Sequence, residues 1–109
     1  MLYPEALTHV AFQRIARTEL EFLRGLDHER WLLFDLNGNL LDMVDGSRYQ
    51  VGISAEVIRQ LKPAASSHNH LWEVAHSEDD VLTAIHSDFL EARVIGPAHR
   101  YRLARPTMG

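Results

Sequence analysis

The chain has 109 residues, 46% of them hydrophobic and 24% charged, and a formal net charge of -4. That length makes one domain around one core; no apolar run approaches the ~20 residues that span a bilayer, and Met1-Leu2-Tyr3-Pro4-Glu5 lacks the basic start and apolar stretch of a signal peptide. The cytoplasm is therefore the expected compartment, disulfides and thiolate metal sites are excluded by the absence of cysteine, and the negative charge weighs against a nucleic-acid backbone as the main partner.

In chain order, Phe12, Ile15, Ala16, Glu19, Phe22 and Leu23 recur at helical spacing and predict a helix over residues 6–26, with Glu19 the one interruption of its apolar stripe and Gly25 or Asp27 its stop. Arg30-Trp31-Leu32-Leu33-Phe34-Asp35 reads as a buried strand. Asn37-Gly38 is a hairpin signal because both residues tolerate positive φ, and residues 39–44 return as the second strand. A third strand is expected over residues 48–53, then a short helix over 55–61, capped by Ser54 and ended by Pro63. Residues 64–67 form a strand of small residues that delivers His68 and His70. A helix follows from Glu78 to about Leu90 with Val81, Leu82, Ile85 and Phe89 facing inward, then strands over 91–95 and 100–103 and a frayed tail from Arg105. Arg100, Arg102 and Arg105 form the one local basic cluster, read as a solvated strand face. The order α-β-β-β-α-β-α-β-β implies a single-domain α/β protein, a mixed sheet flanked by helices, without repeats or linkers.

The chemistry concentrates in Ser67-His68-Asn69-His70 and His76-Ser77-Glu78-Asp79-Asp80. Two histidines separated by one residue project from the same side of a strand, since side chains alternate with period two. Ser77-x-x-Asp80 opens the next helix and returns a carboxylate toward them. Two imidazoles and one carboxylate suit a catalytic zinc ion, which keeps its fourth position for water. The bland alternative for Ser77 and Asp80 is a capping box worth about 1 kcal/mol. The two roles compete for the Asp80 side chain, so its rotamer is expected to decide between them.

His68-Asn69-His70 through Asp80 resembles the JAB/MPN metalloproteases, whose JAMM motif pairs His-x-His with a downstream Ser-x-x-Asp, and is most similar to the bacterial and phage-associated members. The strand ending in Asp35 with its Asn37-Gly38 turn, and the closing Arg93-Val94-Ile95-Gly96-Pro97 and Tyr101 to Pro106, extend the resemblance over roughly residues 26–106. It implies a sheet arrangement like that of cytidine deaminases, a helix over 1–26, a core over 27–106 and a tail over 107–109. It also implies zinc held by His68, His70 and Asp80, Ser77 helping to hold an oxyanion, and an upstream glutamate as general acid/base: Glu29 by position, with Glu19 and Glu21 as alternatives. The expected activity is hydrolysis of peptide or isopeptide bonds in a protein substrate.

Three departures from the family pattern stand in the loop after the histidines. Leu71 replaces its proline, Trp72-Glu73 replaces a Ser-Gly pair, and the span from His70 to Ser77 is one residue shorter. The shortening makes Asp79 and His76 competitors for the place of Asp80. It also motivates a second expectation, a JAB-like domain of impaired activity that binds a protein partner in a phage or mobile-element setting. Trp72 is then either a core plug or an exposed aromatic anchor.

Overall fold

The computed structural model describes residues 7–46 and 55–104, and its centre is the mixed sheet expected from the sequence. In chain order the elements are α1 (His9–Phe22), β1 (Arg30–Phe34), β2 (Leu40–Asp45), α2 (Ala55–Leu61), β3 (Ala65–Asn69), α3 (Glu78–His86), β4 (Glu91–Ile95) and β5 (Arg100–Ala104). The five strands lie in the order β2-β1-β3-β4-β5. All neighbours are antiparallel except β3 and β4, which run parallel. A parallel pair cannot be joined by a hairpin, and α3 supplies the crossover. The strand expected over 48–53, the Ser54 cap and the tail from Arg105 fall outside the described residues.

Each face of the sheet is covered by helix. On one face α1 packs Ala11, Ile15 and Leu23 against Leu32, Phe34 and Ala65. On the other, Leu33, Ala84, Phe89 and Ala92 meet Ile58 and Leu61 of α2. The period-two alternation of β1 sorts Leu32 and Phe34 to the first face and Leu33 to the second. Within α1, Thr8 accepts a hydrogen bond from the Ala11 amide at 3.1 Å and so starts the helix at His9, three residues later than the periodicity suggests. It ends at Phe22, before the left-handed Gly25 (φ +72°).

The β1–β2 connection corrects the two-residue turn. Only Gly38 takes a positive φ, +82°. The loop is built around Asp35, whose carboxylate accepts from the Asn37 amide, the Asn39 amide and the Asn39 side chain at 2.9–3.1 Å. Gly38 is required twice over, because a Cβ there would stand 2.5 Å from the Ala11 carbonyl oxygen.

The helix after the histidines is also shorter than expected. α3 stops at His86, and Asp88 (φ +58°) takes the left-handed position of a Schellman ending. The Phe89 amide donates to the Ala84 carbonyl and the Asp88 amide to the Ile85 carbonyl, at 3.2 Å each. Phe89 is therefore buried from the turn, whereas Leu82 and Ile85, expected inside, are 44% and 65% exposed. Aspartate can occupy the left-handed region without glycine, so the chain carries no glycine or proline to mark this stop.

Candidate metal centre

β3 is buried along its whole length despite its two serines. His68 pairs in register with Trp31 on β1 and with Val94 on β4. That register places His68 on the α3 face, and the Trp31 ring stacks on it at 3.9 Å. Its Nε2 faces Asp80 and His70, but Nδ1 finds no hydrogen-bond partner among the described residues, and neither does Ser66 Oγ. An unpartnered buried group costs about 1–3 kcal/mol, so His68 is an expensive residue to bury for stability alone. Burial pushes its pKa down, although Asp80 opposes this.

His70 follows just past the end of β3, and its amide donates to the Ile95 carbonyl at 2.9 Å. Its ring Nδ1 lies 3.0 Å from the Val74 carbonyl. A carbonyl only accepts, so Nδ1 carries the proton, and whenever the ring is neutral the lone pair of Nε2 turns into the site. Histidines that bind metals commonly have their second nitrogen held in this way. The loop carrying Val74 is itself clamped. Glu73 accepts from the Ala98 amide at 3.0 Å, the His99 ring at 2.7 Å and the Tyr101 hydroxyl at 3.0 Å. Gly96 makes room for it, since a Cβ there would meet the Glu73 carboxylate at 2.6 Å. Those contacts, the Ala98 amide first, hold the Glu73 carboxyl below its ordinary pKa.

Asp80 enters from the first turn of α3. Its Oδ2 lies 3.2 Å from His68 Nε2 and 3.3 Å from His70 Nε2, and those two nitrogens are 3.0 Å apart. The same oxygen accepts from the Ser77 amide at 2.8 Å, while Ser77 Oγ accepts from the Asp80 amide at 3.1 Å. The expected competition is thus overturned: one rotamer completes the capping box and faces both histidines. Burial works against the Asp80 anion, but the His68 and His70 rings, donating to it where their Nε2 atoms carry protons, outweigh it and hold the carboxyl well below the usual carboxylate range. The positive end of α3 acts in the same direction. Asp80 in turn raises the His70 pKa above its ordinary value, against burial.

These three atoms can hold a metal ion. Ligands at about 2.0–2.1 Å in tetrahedral array stand about 3.3–3.4 Å from one another, close to the 3.0, 3.2 and 3.3 Å sides of this triangle. The donor chemistry agrees: an anionic oxygen and the outward lone pair of His70 converge where only a proton or a cation relieves their crowding. The loop between His70 and Ser77 does not keep Asp80 from the two histidines. His76 instead bonds the Ala92 carbonyl through Nε2 at 2.8 Å, and Asp79 is exposed.

Among the expected proton carriers, Glu29 is the one near the site. It precedes β1, whose pairing with β3 ends at Trp31 and His68, and its charge contributes to the raised His70 pKa. Asn69 fixes that end of β1 by accepting from the Arg30 amide and donating to the His28 carbonyl. Glu19 lies on the opposite face of the sheet, where Ser67 donates to it at 2.5 Å and Arg93 clasps both of its oxygens at 2.7 and 3.0 Å. Glu21 is exposed on α1. Arg102, expected on a solvated strand face, is exposed there while it bonds Glu91 and lies over the Phe12 ring. Trp72 is 66% exposed, which excludes the core plug. Residue type and position gave no sign of Trp31, Val74 or Glu73 as supports, because their partners lie across the sheet or act through the backbone.

Comparison with protein-family models, curated proteins and solved structures finds no match to the chain. No helix among the described residues is long and apolar enough to cross a membrane.

Proposed function

We propose that this protein is a JAB/MPN-like hydrolase of peptide or isopeptide bonds that holds zinc with His68, His70 and Asp80. The observation that carries the reading is the convergence of these three donors with the His70 tautomer set by Val74. Bound zinc supplies a Lewis acid that polarises the amide carbonyl and lowers the pKa of water. Glu29, whose charge acts on His70, is the proton carrier between water and the departing nitrogen. Ser77 uses its oxygen, not its hydroxyl hydrogen, in the helix cap, so that hydrogen stays free for a developing oxyanion. Glu19 is unsuited to the proton role, its carboxylate being committed to Ser67 and Arg93.

The experiment is elemental analysis of protein purified without chelator, joined to cleavage assays on a fluorogenic peptide and isopeptide panel. About one zinc per chain with turnover supports the reading. Zinc retained without turnover on any substrate favours the second reading, a protein-binding module. That alternative draws on Trp72 and Val74, which are 66% and 50% exposed on the loop beside the site.

A further inference from the structure

A cleft of about 380 Å³ opens beside His70, between the end of α1 and the β4–β5 turn. It lies at the carboxyl ends of the parallel strands β3 and β4, where open α/β sheets commonly take their ligands. Leu20, Leu23, Leu71, Ile95 and Pro97 give it apolar walls. Its charges do not balance. Glu19, its one carboxylate, is clasped by Arg93 from outside the lining, whereas Arg24 and Arg100, both exposed, line the cleft itself. Arg100 stands 4.0 Å from a Glu19 carboxylate already shared between Ser67 and Arg93. Arg24 has no hydrogen bond or ion pair among the described residues. One unpaired guanidinium group and one held only at 4.0 Å by a shared carboxylate, both at an apolar cleft, are unexpected in a chain of net charge -4.

We infer that this cleft receives the C-terminal end of a peptide, an apolar side chain with its free α-carboxylate held by Arg24 and Arg100. Guanidinium groups recognise carboxylates through paired, charge-assisted hydrogen bonds. The volume lies at the small end of the range for ligand pockets, about 300–1,000 Å³, which suits one or two residues and not a folded domain. The inference rests on the hydrolase reading for its chemistry: the segment in the cleft is the amine side of the bond broken beside His70. Water gives its oxygen to the acyl carbon and a proton to the departing nitrogen, so no co-reactant other than water is needed.

Binding tests this separately from catalysis. The probes are N-acetyl-leucine, its amide, N-acetyl-aspartate α-amide and inorganic phosphate, titrated into the full chain with chelator present so that no carboxylate ligates a metal. Amide chemical shifts and calorimetry are the readouts. N-acetyl-leucine is expected to shift Leu23, Ile95 and Gly96 and to bind roughly 10- to 100-fold more tightly than its amide. Arg24→Ala and Arg100→Ala should each remove most of that preference. Arg24 is exposed and unpaired, so its replacement leaves the fold intact if Arg100→Ala does not. With chelator present the binding is read on metal-free protein, so loss of the metal reading would not carry this one with it. Equal binding of acid and amide, unchanged preference in Arg24→Ala, or tighter binding of phosphate or of the aspartate side-chain acid would each overturn the inference.

Discussion

The two faces of β3 carry two buried polar clusters that differ in one respect. On the α1 face, Ser67 and Glu19 meet Arg93, and Arg93 and Arg102 meet Glu91, so every carboxylate is matched by a guanidinium. On the α3 face, one residue along the strand, His68, His70 and Asp80 bring acceptor atoms together with no Lys or Arg among them. The first cluster is complete within the chain. The second leaves His68 Nδ1 without a partner among the described residues and gathers three groups that can hold a cation.

The sharpest way to break the contrast is to unbalance the complete face. Arg93→Ala leaves Glu19, 2% exposed, without its counter-charge, and should cost about 3–5 kcal/mol of stability in urea unfolding. His68→Leu should cost less than about 1.5 kcal/mol in metal-free protein, since it removes an orphaned polar atom while keeping volume. Equal losses in the two variants would erase the distinction.

On the incomplete face, Glu29→Gln should keep zinc but lower turnover about 100- to 10,000-fold. Unchanged turnover would clear Glu29 of the proton role. Ser77→Ala removes a cap oxygen and should lower stability by about 1 kcal/mol, with a further fall in turnover if its hydroxyl serves the oxyanion. Thermal melts and kinetics on the same samples separate the two effects.

The smallest effect is expected at Glu73, which is exposed and acts through the loop that carries Val74. Its carboxyl is held below the ordinary value, so its contribution is present above the unfolded glutamate pKa of about 4.3 and is lost as pH falls through the lower folded value. Amide exchange of residues 71–77 should quicken over that interval relative to the acid-base trend of the rest of the chain. In Glu73→Gln the same loop should exchange faster already at neutral pH and lose the inflection.

How much of this was readable in the chain follows from the range of each interaction. The ligand triad was legible because His68-x-His70 and Ser77-x-x-Asp80 obey strand and helix periods within 13 residues of one another. α2, with Lys62 left-handed and Pro63 after it, and β4 were legible for the same local reason. The Asp35-centred loop and the left-handed Asp88 were missed because aspartate serves equally as surface charge, turn former and cap. Glu19 was visible as a flaw in an apolar stripe. What repairs it, Arg93, lies 74 residues away and is brought there only by the sheet. Glu73 likewise stood as a departure from a family pattern until the β4–β5 turn was seen to hold it.

The central claim is that the α3 face is completed by zinc, and zinc content measures it most directly. Wild type and His68→Ala/His70→Ala should be purified without chelator, dialysed against trace zinc and analysed for metal, with circular dichroism to show that both are folded. The account predicts about one zinc per chain in the wild type and none in the double variant. A wild type that takes up no zinc even from excess, or a double variant that keeps it in full, would contradict it.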